Sequence, residues 1–199
     1  MLLQMVYCGV LFLGYETLAK LIHWSTGIGI VLGMLGFGMR CRKPLLSWLA
    51  AAIFFSTPLV GDNIIRAGVE VGISYWLFGS IYSLSLCFFW GESVKGKPLW
   101  LLSAILAGFV LGAKYTLWPY MLGLLICFIL LRIPKKEIGA YFGTASLFVL
   151  PWVFKNIWHY RNPIYPFFNE FFNPQSSYLV LWRRLHQDGW GRNWGEILG

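Results

Sequence analysis

Lys114 interrupts an apolar stretch that otherwise runs from Leu99 to Leu131. An ammonium group at that depth is costly in hydrocarbon, which leaves two readings. It snorkels to water between two segments, or it faces a polar cavity that supplies an anion such as a phosphate or carboxylate. A second concentration of reactive side chains is PWVFKNIWHYRNPIYPFFNEFF, residues 151 to 172, where Lys155, Asn156, His159, Arg161 and Asn162 lie among Trp158, Tyr160, Tyr165, Phe167 and Phe168. Trp and Tyr settle at headgroup depth, and cations between them suit the phosphate of a lipid or of a lipid-linked substrate. Asn162-Pro163 and Tyr165-Pro166 oppose a continuing helix, because each proline lacks a donor and pushes the preceding residue out of the α region.

Asp62, Arg66 and Glu70 recur every four residues, so a helix through them would carry all three on one face. They form a salt-bridged surface, or they leave Glu70 at the membrane edge to meet a hydroxylated or cationic group, with Gly68 and Gly72 allowing close approach. His23 reads as an interhelical hydrogen-bonding group. His159 has no Ser, Cys or Asp partner in the sequence, and His23, His159 and His186 lack metal-site spacing. There is no Walker loop, dinucleotide fingerprint or nucleophile elbow. Cys8, Cys41, Cys87 and Cys127 are too scattered for a metal or redox motif and read as small buried hydrophobes.

The elements that position these groups follow from composition. Of 199 residues, 58% are hydrophobic and 12% charged, about half the charged fraction of an average soluble domain. This is the composition of an integral membrane protein: an all-α, polytopic transmembrane helical bundle with six or seven hydrophobic segments. The net charge of +8 then reads as topology signal and attraction to membrane lipids; no basic stripe lies on a soluble fold, and no nucleic-acid partner is expected. The apolar segments run at about 1–14, 18–39, 45–60, 73–90, 99–113, 117–131 and 138–154, with Pro58 stopping the third. In the second, Gly27, Gly29, Gly33, Gly36 and Gly38 allow close helix contact. The connections at 40–43, 91–98 and 132–137 are short and net positive, which predicts that they are cytoplasmic. The other connections then share the outer face, gathering Glu16, Lys20, Asp62, Arg66, Glu70, Lys114, Tyr115 and residues 155–162. The first segment is short for a span, so we expect the chain to be the interior or C-terminal part of a longer protein, with 1–172 as the membrane module. Residues 173–199, with Trp182, Arg183, Arg184, Trp190, Arg192 and Trp194, are expected to lie at the interface or outer face.

Taken in order, Lys20-Leu21-Ile22-His23, Ser56-Thr57-Pro58, the acidic Glu70, LAGFVLGAKYT with Gly108, Gly112, Lys114, Tyr115 and Thr116, and PWVFKNIWHYRNPIYPF make a recognisable series. Across residues 1–172 the chain resembles bacterial multi-spanning type C glycosyltransferases, particularly those related to dolichyl-phosphate-mannose protein mannosyltransferases. The resemblance implies an inner-membrane enzyme that moves a sugar from a polyprenyl-phosphate carrier to an acceptor on the outer side. In similar sequences the Glu70 position is often Asp and the Arg161 position commonly Gly. Under this resemblance Lys114, Lys155 and Arg161 hold the carrier phosphate, Glu70 is a supporting carboxylate, and Tyr115, His159, Asn162 and Tyr165 line the pocket. The acidic base is expected upstream of Met1. A divalent cation between carboxylates is compatible with this chemistry and not required by it. Two other classes stay open: a non-catalytic membrane scaffold or remnant, and a transporter or lipid flippase.

Overall fold

The computed structural model describes residues 2–65, 69–90, 98–165 and 167–172. All regular structure among these residues is helical: α1 Leu2–Phe12, α2 Glu16–Arg40, α3 Pro44–Ser56, α4 Pro58–Ile65, α5 Val69–Phe89, α6 Pro98–Ala113, a 3₁₀ turn Tyr115–Leu117, α7 Trp118–Leu130, α8 Lys135–Tyr160 and α9 Asn169–Phe172. The chain divides into two compact units, Met1–Val149 and Leu150–Gly199, with the boundary inside α8, just before Pro151.

Apolar runs become helices here because a helix satisfies its own backbone where water cannot. Three helices, α2, α5 and α8, are long and apolar enough to cross a membrane. A fourth crossing is available if α3 and α4 count as one span, bent by 65°. Pro58 both ends one helix and starts the next: α3 stops at Ser56, Thr57 is extended (φ −71°, ψ 116°), as a residue before proline prefers, and Pro58 is the first residue of α4. The 16-residue α6 spans only about 24 Å at 1.5 Å per residue. Helix α8 runs beyond the apolar segment, through Pro151 to Tyr160. The outward faces are apolar, with Leu32, Trp48, Ile53 and Leu122 all exposed, an arrangement suited to lipid rather than to water. Cysteine follows the same rule: Cys87 is buried, whereas Cys8, Cys41 and Cys127 are on the surface, correcting the expectation that all four are core residues.

Four helices end in one backbone device. Gly14, Arg42, Arg132 and Arg161 all have left-handed φ, at 81°, 57°, 54° and 49°. After α2, the Lys43 N–H donates to the Gly38 carbonyl at 2.8 Å and the Arg42 N–H to Met39 at 3.1 Å; after α7, Ile133 donates to Phe128 at 2.9 Å and Arg132 to Ile129 at 3.0 Å. Both are Schellman closures, which satisfy carbonyls that the helix leaves unpaired. After α8 the Arg161 N–H donates to Ile157 at 3.0 Å, the simpler left-handed closure.

In the first unit, α2 packs on α5 by placing aromatic rings over its glycines: Tyr75 covers Gly29, Phe78 covers Gly33, and the Tyr82 hydroxyl lies 3.3 Å from where a Cβ on Gly36 would be. The α5–α6 contact is antiparallel and polar at its centre. The Ser80 Oγ donates to the Ser103 carbonyl at 2.9 Å, and the Ser103 Oγ returns the bond to the Ser80 carbonyl at 2.9 Å. The hydroxyl of Tyr120, from α7, donates to Ser80 Oγ at 2.9 Å. That of Tyr141, from α8, lies 2.8 Å from Ser103 Oγ. Four helices thus share one buried hydroxyl hub. Around it Trp100, Phe128 and Tyr141 pack with ring centroids 5.0 to 5.1 Å apart.

Candidate anion-binding site

Register in the α5–α6 pair determines what meets at its end. The Ser80–Ser103 bonds hold those residues level. Glu70 lies ten residues back along α5 and Lys114 eleven residues on from Ser103, so each is displaced about 15 Å in the same direction. The two side chains meet there, Lys114 Nζ lying 2.5 Å from Glu70 Oε1. Lys114 is no longer helical. Helix α6 stops at Ala113, and Lys114 is extended (φ −145°, ψ 134°) before the 3₁₀ turn. The ammonium therefore stands at a break in the apolar stretch. Both side chains remain open to a ligand, at 41% and 51% exposure. Tyr115 follows directly, its ring edge-on to Trp118 at 5.2 Å.

The same end of the unit holds His23, fully buried on α2, whose Nδ1 shares a 2.5 Å hydrogen bond with the Tyr7 hydroxyl of α1. That is the interhelical role read from the sequence. The His23 Nε2 is buried with no hydrogen-bond partner among the described residues. Beside it, an open, largely apolar groove of about 280 Å³ lies between the start of α2 and the end of α4, lined by Lys20, Trp24, Ile64 and Ile65 among others. Asp62 and Glu70 belong to two different helices, α4 and α5, and Arg66 lies outside the described residues. Among the described residues no three His, Cys, Asp or Glu side chains cluster to hold a metal ion.

The second unit holds the aromatic, basic stretch, and its described part is a self-bracing helix end. Lys155 sits over the Trp152 ring, 4.1 Å from its centroid, a cation–π contact. Asn162 is fully buried: its Oδ1 accepts the Ile164 N–H at 3.0 Å, an Asx turn, and its Nδ2 donates to the Phe167 carbonyl at 2.8 Å. Asn156 is also buried and its Nδ2 donates toward the Pro163 carbonyl at 3.4 Å. Tyr165 stacks on Tyr160, centroids 3.9 Å apart with planes 7° from parallel. Asn162 and Tyr165, read as pocket residues, thus shape the turn itself. Lys155, His159 and Arg161 are exposed. Lys155 and His159 are one helical turn apart on α8, and Arg161 follows at its end. Pro166 and residues 173–199, including His186 and the tail arginines and tryptophans, lie outside the described residues.

The structure therefore brings Glu70 and Lys114 together in the first unit and groups Lys155, His159, Arg161, Asn162 and Tyr165 in the second. Sequence reading missed Ser80, Ser103, Tyr120 and Tyr141, since a hydroxyl inside an apolar run carries no spacing signal. Comparison of the chain with protein-family models, with curated proteins and with solved structures finds no match.

Proposed function

We propose that this chain is the membrane module of a glycosyltransferase of the bacterial inner membrane, one that transfers a sugar from a polyprenyl-phosphate carrier to an acceptor on the outer face. In this reading the two short helices, α6 and α7, also cross the bilayer, and with α1 the module has seven segments. The observation that carries the reading is the Lys114–Glu70 pair: a cation fixed by a carboxylate, at a helix break, still open to a ligand. An ammonium held in place before substrate arrives is suited to a developing negative charge, because no reorganisation is needed as the charge forms.

In the reaction the acceptor hydroxyl attacks the anomeric carbon as its proton passes to a carboxylate base other than Glu70, the bond from that carbon to the carrier phosphate breaks, and polyprenyl phosphate leaves with the bonding electrons. Lys114 donates to the departing phosphate oxygen. Glu70, its Oε1 already engaged by Lys114, is a positioning carboxylate rather than the base that takes the acceptor proton. The apolar groove beside Lys20, Trp24 and Ile65 suits an isoprenoid chain. In membranes containing the protein, Lys114→Ala is expected to lower sugar transfer from a polyprenyl-phosphate donor by about 10²-fold, with insertion unchanged. Wild-type turnover by that variant would remove the phosphate-binding role.

A further inference from the structure

A second cavity lies at the opposite end of the first unit from Glu70 and Lys114. It occupies about 320 Å³ between the last turns of α2 and the start of α3, with Phe78 of α5 forming part of its wall. It is an open groove lined mainly by apolar residues, Met34, Phe37, Leu46, Ala50 and Phe78, with Cys41, Lys43 and Ser47 also in its wall; Phe37, Leu46 and Ala50 are exposed along it. The volume equals about ten water-sized groups, a length of acyl chain rather than a whole lipid. Cys41 and Lys43 of the wall belong to the turn Arg40-Cys41-Arg42-Lys43, which carries three cations with no acid among them, all exposed. The Schellman closure fixes this turn, with the Lys43 N–H tied back to Gly38 at 2.8 Å. Trp48, exposed on the next turns of α3, supplies the aromatic group typical of headgroup depth.

An apolar groove bordered by a rigid basic turn matches one kind of molecule. We propose that this cavity binds a single anionic phospholipid, with one acyl chain inserted between α2 and α3 and the phosphate held by Arg42 and Lys43. Charge complementarity selects the headgroup: an ester phosphate with net negative charge is attracted, and a zwitterionic one much less so. Dispersion contacts along Phe37, Leu46 and Phe78 hold the chain. The site is separate from the proposed sugar-transfer chemistry and stands whether or not that reading holds.

The backbone provides a clean variant. Arg42 has φ 57°, a conformation glycine adopts without strain, so Arg42→Gly removes a charge while easing the turn. The probe is phosphatidylglycerol against phosphatidylcholine, counted by native mass spectrometry on protein purified in mild detergent. Wild type is expected to retain one phosphatidylglycerol in preference to phosphatidylcholine. R42G/K43Q is expected to bind it about tenfold more weakly. Ala50→Trp, which fills the slot and leaves the charges, is expected to lose retention as well. Equal retention of the two lipids by wild type, or unchanged retention by R42G/K43Q, overturns the proposal. Full retention by a folded Ala50→Trp protein also overturns it, since binding would then be to the turn alone.

Discussion

Ser80 and Ser103 each donate a hydroxyl to the other's backbone carbonyl, both at 2.9 Å, and this exchange sets the register that brings Glu70 to Lys114. Tyr120 completes the count on one side and Tyr141 lies against the other, so that every hydroxyl in the hub has a partner. In a membrane interior such bonds average about 0.6 kcal/mol and reach about 1.7 kcal/mol. Ser103→Ala removes the returned bond and leaves the Tyr141 hydroxyl without its nearest acceptor, so it is expected to sit at the upper end of that range. Tyr120→Phe strands no donor and is expected to lie near the average. Thermal unfolding in detergent checks the order; equal losses would contradict the hub as drawn.

At Gly108, α6 lies directly against α8. A Cβ there would lie 2.6 Å from the Ala145 carbonyl oxygen and 3.1 Å from its Cα, both backbone atoms that cannot swing away. Gly108→Ala is expected to destabilise by about 1–3 kcal/mol through overpacking. Gly123 on α7 has nothing within 4 Å of a built Cβ, so Gly123→Ala is expected to be neutral or to stabilise by up to about 1 kcal/mol. The pair of melting temperatures tests the contact without needing any ligand.

Much of the helical layout is visible in the chain itself. Apolar runs bounded by Gly14, RCRK and Asn162-Pro163 become helices ended at those points, and the glycines of α2 do admit close neighbours. Pro58 was visible but ambiguous, because proline can terminate one helix or begin the next. The Lys114–Glu70 contact joins residues 44 apart, and nothing local in either segment specifies it. It follows from the Ser80–Ser103 register, and serines in an apolar run look the same whether they pair or not. In the stretch from Pro151 to Phe172 the residue types suggest a ligand pocket; the structure adds that Asn162 is buried in an Asx turn and that Tyr165 stacks on Tyr160. Burial of an asparagine side chain is a tertiary property that composition does not disclose.

Arg161 offers a way to separate charge from shape. Its φ of 49° is a left-handed closure that arginine adopts at a cost and glycine does not. Arg161→Gly is expected to stabilise the end of α8 by roughly 1 kcal/mol. If the guanidinium contacts the carrier phosphate, the same variant loses affinity for polyprenyl phosphate while melting higher. Stability measured by unfolding and affinity measured by titration should then move in opposite directions. A variant that binds as well as wild type assigns Arg161 to the helix end alone.

In the proposed function Lys114 serves an anion and is more than half of an ion pair. The pair is partly exposed, so its own contribution to stability is about 0–1 kcal/mol. Exchanging the charges, Glu70→Lys with Lys114→Glu, preserves an ion pair between α5 and the break after α6 but moves the cation onto α5. The most direct measurement is the affinity of purified protein for polyprenyl phosphate, compared between wild type, Lys114→Ala and the exchanged double variant, with melting temperature recorded alongside. The exchanged variant is expected to keep the wild-type melting temperature to within a few degrees while binding stays as weak as in Lys114→Ala. Recovery of wild-type affinity by the exchanged pair, or undiminished affinity in Lys114→Ala, would contradict that role of Lys114.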